Sequence, residues 1–154
     1  MPETGIYILT APVQSGKTTS LLQWCNGHSE VYGILTPVMG GKRVFMNVHT
    51  GEQFRMEAIN EEESLSIGRF VFGKKNFDKA SQVIRDTIHK PGWLIIDEIG
   101  PLALRDEGFA GVLKQVLEAR TENILLVIRE SLADKIKKHF RIESITVITR
   151  IDLF

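Results

Sequence analysis

Residues 11–18 read Ala-Pro-Val-Gln-Ser-Gly-Lys-Thr, and few folds can carry that stretch. It is a phosphate-binding loop in which Ala11 stands where the usual pattern opens with Gly. A loop of this kind turns successive backbone N–H groups inward and forms an anion nest. Gly16 lets the backbone pass close to a phosphate oxygen, where a Cβ would collide. Lys17 brings a full positive charge to the β- and γ-phosphates, and the Thr18 hydroxyl suits Mg²⁺. The loop must follow a strand and open a helix, and both signals flank it. Ile6 to Thr10 is a short apolar, β-rich run. Thr18, Leu21, Leu22 and Cys25 then recur at i, i+3, i+4 and i+7, which predicts a helix whose N-terminus faces the same anion.

The rest of the chain alternates strands with helices. Asn26-Gly27-His28 stops the first helix, and Val31 to Thr36 reads as a second strand. Val44, Met46 and Val48 alternate with polar residues, with Phe45 as an apolar exception on the outer face; Gln53 to Glu57 alternates again, with Phe54 and Met56 inward. Residues 31–57 therefore predict a three-stranded antiparallel meander, too small to fold alone. Glu61-Glu62-Glu63 reads as a solvated loop and Gly68 to Phe72 as a short strand. Asn76 is placed to cap a helix in which Phe77, Ala80, Ile84 and Ile88 share a face. Phe109, Val112, Leu113, Val116 and Leu117 mark another helix. Ser131 with Asp134 resembles a capping box for a last one, with Leu132, Ile136 and Phe140 inward and Lys135, Lys137, Lys138 and Arg141 outside. Ile145 to Thr149 is the last strand. The alternation predicts an α/β fold, a mainly parallel sheet with helices on both faces and the meander inserted, in one domain spanning 1–154.

Two further apolar strands carry chemistry at their ends. Trp93 to Ile96 is a continuous apolar run ending in Asp97-Glu98. Central parallel strands, buried on both faces, look like this, and ligands sit at their C-terminal ends. Asp97 is thus expected to serve the metal opposite Thr18, and Glu98 to act as general base or to orient water. Asn123 to Ile128 ends in Arg129, which could reach the γ-phosphate or pair with a nearby carboxylate.

Composition narrows the partners. Lys+Arg and Asp+Glu are 19 each, so the net charge is zero, without the basic excess of most nucleic-acid or anionic-membrane binders. No apolar run approaches a membrane span, and Met-Pro-Glu-Thr-Gly has none of the features of a signal peptide, so cytoplasmic residence is expected. The single Cys25 lies on the first helix's apolar stripe and reads as a small buried hydrophobe. His28, His49, His89 and His139 have no metal-ligand spacing with one another.

The chain resembles the small bacterial, archaeal and animal nucleoside-triphosphatase family, called cancer-related nucleoside-triphosphatase in animals. The matching residues are Thr10-Ala11-Pro12 through Gly16-Lys17-Thr18-Thr19, then Tyr32 to Thr36 with Gly41 to Val44 behind it. Gly68-Arg69-Phe70-Val71, Phe77 with Ala80, and Ile96 to Leu102 complete the match. The resemblance implies a P-loop α/β fold with an acidic residue beside the metal Asp. It implies Mg²⁺-dependent hydrolysis of ATP, GTP and other nucleoside triphosphates to diphosphates, with weak base discrimination. By the same resemblance Val13, Gln14, Ser15, Gly16, Lys17, Thr18 and Thr19 bind the nucleotide, Thr18 and Asp97 serve Mg²⁺, and Glu98 serves the water. The family's loop usually has Gly at Ala11 and at Gln14 or Val13. Members often carry Glu where this chain has Ala103, and an acid where it has Pro37.

Two other functions share parts of this pattern. Asp97-x-x-Gly100 also fits the switch pattern of GTPases, and Thr149-Arg150-Ile151-Asp152 faintly resembles their guanine-reading motif, with Arg in place of Lys. A small-molecule kinase would share the loop, but no Arg-rich lid segment is evident.

Overall fold

The computed structural model describes residues 5–11, 17–58, 64–68 and 70–151. The elements run β1 (Ile6–Ala11), α1 (Lys17–Asn26), β2 (Val31–Leu35), β3 (Val38–Met39), β4 (Lys42–Asn47), β5 (Gln53–Arg55), β6 (Ser64–Ile67), β7 (Phe70–Gly73) and α2 (Lys74–Arg85). They continue with β8 (Trp93–Asp97), α3 (Pro101–Leu104), α4 (Ala110–Ala119), β9 (Asn123–Arg129), α5 (Ala133–His139) and β10 (Ile145–Ile148). The main sheet has the order β10-β1-β9-β8-β2-β4-β3, with β5 on the free side of β4. Strands β10 through β2 are parallel; β4 is antiparallel to β2, β3 and β5. The meander is therefore present, and its first strand doubles as a strand of the parallel sheet.

The connections explain which face each helix covers. A parallel crossover is right-handed because a twisted strand and a right-handed helix pack back onto the sheet only that way. From β1 to β2 the chain moves one way along the sheet, and α1 covers one face. From β2 to β8, β9 and finally β10 it moves the other way, so α2, α4 and α5 cover the opposite face. The core follows this division. Leu21 and Cys25 of α1 pack on Tyr7, Leu9, Leu35, Ile95, Leu125 and Val127. Phe77, Ala80 and Ile84 of α2, Leu113 of α4 and Ile136 of α5 pack on Ile8, Ile34, Leu94, Ile96, Leu126 and Ile128. Adjacent residues of β8 and β9 thus enter different cores, which is why these strands are apolar throughout. Burial pushes the Cys25 thiol up to about 12, as for an inert packing residue. Gly33 lies opposite Ile95 with φ +110°, and an added Cβ would overlap the Ile95 carbonyl oxygen. Among the described residues no helix is long and apolar enough to cross a membrane.

Several local expectations are corrected. Phe45 is not on an outer face. It is fully buried against Phe54, Phe77 and Phe109, with ring centroids 5.0–5.8 Å apart. Burying a ring of this size is worth about 1.5–3 kcal/mol, enough to override the alternation. Asn76 does not cap α2, which starts two residues earlier with Gly73 at its N-cap; the Asn76 amide instead donates to the Glu57 carbonyl. No side-chain capping bond forms at α5, where a 3₁₀ turn over Glu130–Leu132 replaces the capping box. Ser64–Ile67 forms β6 and pairs with β7 as a separate hairpin, which the polar Ser64 and Ser66 conceal in the sequence. The Glu61-Glu62-Glu63 run lies outside the described residues.

Candidate functional site

The site is assembled at the C-terminal edge of the parallel strands. Across that edge the register places Ala11 beside Arg129, and Val127 beside Asp97. The helix after β1, α1, covers one face of the sheet, and the helix after β9, α5, covers the other. A crevice opens where neighbouring strands part in this way, and open α/β sheets bind ligands there. Arg129 ends β9 at this edge.

Asp97 continues the parity of Trp93 and Ile95, so it turns toward the face that carries α1. Its Oδ2 accepts the Thr18 hydroxyl at 3.2 Å and the Thr36 backbone N–H at 3.3 Å. Arg43 in turn donates to the Thr36 carbonyl at 2.8 Å. Asp97 is 1 % exposed, and its carboxyl is pushed up to about 6. Burial is the largest cause and the Glu98 charge the second; the Thr36 and Thr18 bonds and Arg43 pull the other way without cancelling it. A buried carboxylate with an acidic neighbour is under-compensated, which a cation would relieve. Carboxylate and hydroxyl oxygens are hard donors, and Mg²⁺ takes one or two such carboxylates together with waters and phosphate oxygens. The donor set therefore fits Mg²⁺. No group of three or more His, Cys, Asp or Glu converges on a metal among the described residues.

Glu98, the residue after β8, lines the other side. Its Oε1 lies 3.2 Å from Arg129 Nε, with both side chains partly exposed. Behind this pair opens a cleft of about 900 Å³. Its polar end is Glu98, Arg129, Thr36 and Arg43; its apolar walls include Phe45, Phe77 and Phe109 on one side and Phe70, Val71 and Phe72 of the β6–β7 hairpin on the other. The hairpin is held by Ala58 N–H to the Val71 carbonyl, by Gly73 N–H to the Met56 carbonyl, and by Arg105 donating to the Ser66 carbonyl. Ala103 lines the same cleft.

Thr18, Asp97, Glu98 and Arg129 are thus brought together, as their positions at strand and helix ends predict. Thr19 is exposed on α1. Val13, Gln14, Ser15 and Gly16 lie outside the described residues, as does the Lys17 side chain, whose backbone opens α1. Thr36 and Arg43 were missed as site residues. Thr36 acts through its backbone N–H, which any residue type could supply. Arg43 sits on the polar side of an alternating strand, where a cation signals only solvent.

The strand order, the helix opening after β1 and the acidic end of β8 together define a P-loop nucleoside-triphosphatase fold. The family profile described as NTPase matches residues 6–154, and the chain belongs to that family. It is similar to the nucleoside-triphosphatase THEP1 of Methanopyrus kandleri, with 26 % identity over 129 residues, covering 78 % of this chain and 71 % of that protein. The crystal structure of THEP1 from Aquifex aeolicus superposes with a TM-score of 0.74 at 18 % identity, covering 96 % of this chain and 91 % of that one. The solution structure of a human cancer-related nucleoside triphosphatase gives 0.68 at 20 % identity, covering 96 % and 88 %.

Proposed function

We propose that this protein hydrolyses nucleoside triphosphates, ATP and GTP among them, to diphosphate and phosphate in a Mg²⁺-dependent reaction with weak base selectivity. The observation that carries the reading is the pair of adjacent acids at the end of β8. Asp97 turns to Thr18 on one side of the crevice, and Glu98 turns to Arg129 on the other. In this reading Val13 to Thr19 hold the phosphates, with Lys17 on the β- and γ-groups, and Thr18 and Asp97 hold the metal. Mg²⁺ held there would supply positive charge against the charge of the phosphates. Glu98 orients the attacking water and accepts its proton. Arg129 holds Glu98 in place and offers its remaining N–H donors to charge developing on the γ-phosphate. With one arginine in cis and no partner, turnover on the order of 10⁻² s⁻¹ is expected. The zero net charge supports a protein that meets nucleotides in preference to a nucleic acid or an anionic membrane surface.

The test is phosphate release from ATP, GTP, CTP and UTP, with and without Mg²⁺, by wild type and Glu98→Gln. The four rates should agree within about tenfold, and Glu98→Gln should lose roughly 10²–10³ in rate while still binding nucleotide. Equal rates for the two proteins would remove Glu98 from the mechanism.

A further inference from the structure

The cleft behind Glu98 and Arg129 is larger than a water-activating site requires. Hydrolysis needs room for one water. An open volume of about 900 Å³ lies at the upper end of small-molecule sites, which are typically about 300–1,000 Å³, apolar and marked by a few convergent polar groups. Among the described residues none of β1 or α1 lines it, so it lies beyond the reacting acid, away from the helix that opens behind the phosphate loop. Its walls are unusual for surface. Of the four large apolar side chains that are strongly exposed among the described residues, Val38, Phe70 and Val71 all line this cleft. The Phe70 and Phe72 rings are stacked, with centroids 6.3 Å apart and planes 7° from parallel. Flat aromatic faces at one end, with an acid–arginine pair at the other, suit a ligand with a planar ring and a hydroxyl.

We propose that the cleft is an acceptor subsite for a nucleoside, whose base lies against the Phe70 side of the hairpin and whose hydroxyl reaches Glu98. The inference rests on the nucleoside-triphosphate reading above, and it adds phosphoryl transfer to hydrolysis. In the step, the acceptor hydroxyl oxygen forms a bond to the γ-phosphorus. The bond from that phosphorus to the β,γ-bridging oxygen breaks, and its electron pair stays on the departing diphosphate. The hydroxyl proton passes to the Glu98 carboxylate and then to solvent. The β6–β7 hairpin forms the outer wall that keeps water from competing. Arg43, already bonded to the Thr36 carbonyl, keeps further N–H donors for the acceptor's ring or sugar oxygens.

The experiment incubates wild type with γ-labelled ATP, Mg²⁺ and each of adenosine, guanosine, cytidine, uridine and thymidine, and follows labelled inorganic phosphate and labelled nucleoside monophosphate separately. At least one nucleoside should take up label saturably, with a matching fall in inorganic phosphate. Phe70→Ala removes an exposed ring without touching the core. It should raise the acceptor KM by about 5- to 150-fold, the range for loss of one base–aromatic stack, and leave acceptor-free phosphate release unchanged. Phe70→Tyr should restore the wild-type KM. No label in any nucleoside overturns the proposal, and so does inhibition of phosphate release without labelled product. Transfer unaffected by Phe70→Ala overturns the placement of the base. Acceptor-free phosphate release reports on hydrolysis independently: its absence indicts the hydrolytic reading alone, and its persistence beside failed transfer leaves that reading standing.

Discussion

Asp97→Asn should stabilise the metal-free protein near neutral pH while abolishing its response to Mg²⁺ and nucleotide. The Asp97 carboxyl is pushed from an ordinary 3.8 to about 6, chiefly by burial and then by the Glu98 charge. A raised folded-state value means that the folded state binds this proton more tightly than the unfolded one. Folding is therefore unpenalised well below 3.8 and loses stability as pH rises through about 6. At about 1.4 kcal/mol per pH unit, the ionised carboxylate costs the fold about 3 kcal/mol near pH 8 and about 0.5 kcal/mol near pH 4. With its oxygen in the Oδ2 position, asparagine still accepts from both the Thr36 N–H and the Thr18 hydroxyl, at a cost of about 1 kcal/mol for a neutral acceptor in place of a charged one. The net gain near pH 8 is about 2 kcal/mol, or roughly 4–8 °C in Tm for a chain of this length. Near pH 4 the gain should vanish. Urea and thermal unfolding of both proteins, without metal, at the two pH values, measure the difference while the other carboxylates cancel. Adding Mg²⁺ with nucleotide at a hundred times Kd should stabilise wild type by about 2.7 kcal/mol and the variant by far less. A variant less stable than wild type near pH 8 without metal would refute the argument, because Asp97 would then be a carboxylate favoured by its bonds and not one strained by burial.

Two other substitutions separate function from structure. Arg129→Ala should lower phosphate release by roughly 10²–10³ with little change in nucleotide affinity, and Arg129→Lys should recover part of it; a fall under tenfold would leave Arg129 as a structural partner of Glu98 only. Arg120, which burial makes easier to deprotonate, donates to the carbonyls of Thr87, Ile88, Lys90, Gly92 and Asn123, tying the end of α2 to the start of β8 and β9. Arg120→Met orphans those acceptors and should cost at least about 3 kcal/mol, or roughly 6–12 °C in Tm, with turnover at 25 °C unchanged; a loss under about 1 kcal/mol in urea unfolding would show that water satisfies them instead.

The amino-acid sequence by itself determined what depends on residues near one another in the chain. The phosphate loop, the helix behind it and the buried strand ending in Asp97-Glu98 are each written in under a dozen consecutive residues, because nests, amphipathic stripes and apolar runs are local patterns. The strand ends in turn make Asp97, Glu98 and Arg129 legible as neighbours, since ligands collect at that edge of any such sheet. Tertiary structure decided the rest. Phe45 is inward because Phe77 and Phe109, more than thirty residues away, complete its cage. Asn76 and the Ser131–Asp134 pair have capping chemistry that the distant Glu57 carbonyl and a 3₁₀ turn displace. Arg43 and the Thr36 N–H join Asp97, and the β6–β7 hairpin roofs a cleft, only after the meander folds against the parallel sheet. Burial is a property of what the whole chain packs around a residue. The pressure on Asp97, on which the chemistry of this edge depends, could not be seen until the sheet had closed over it.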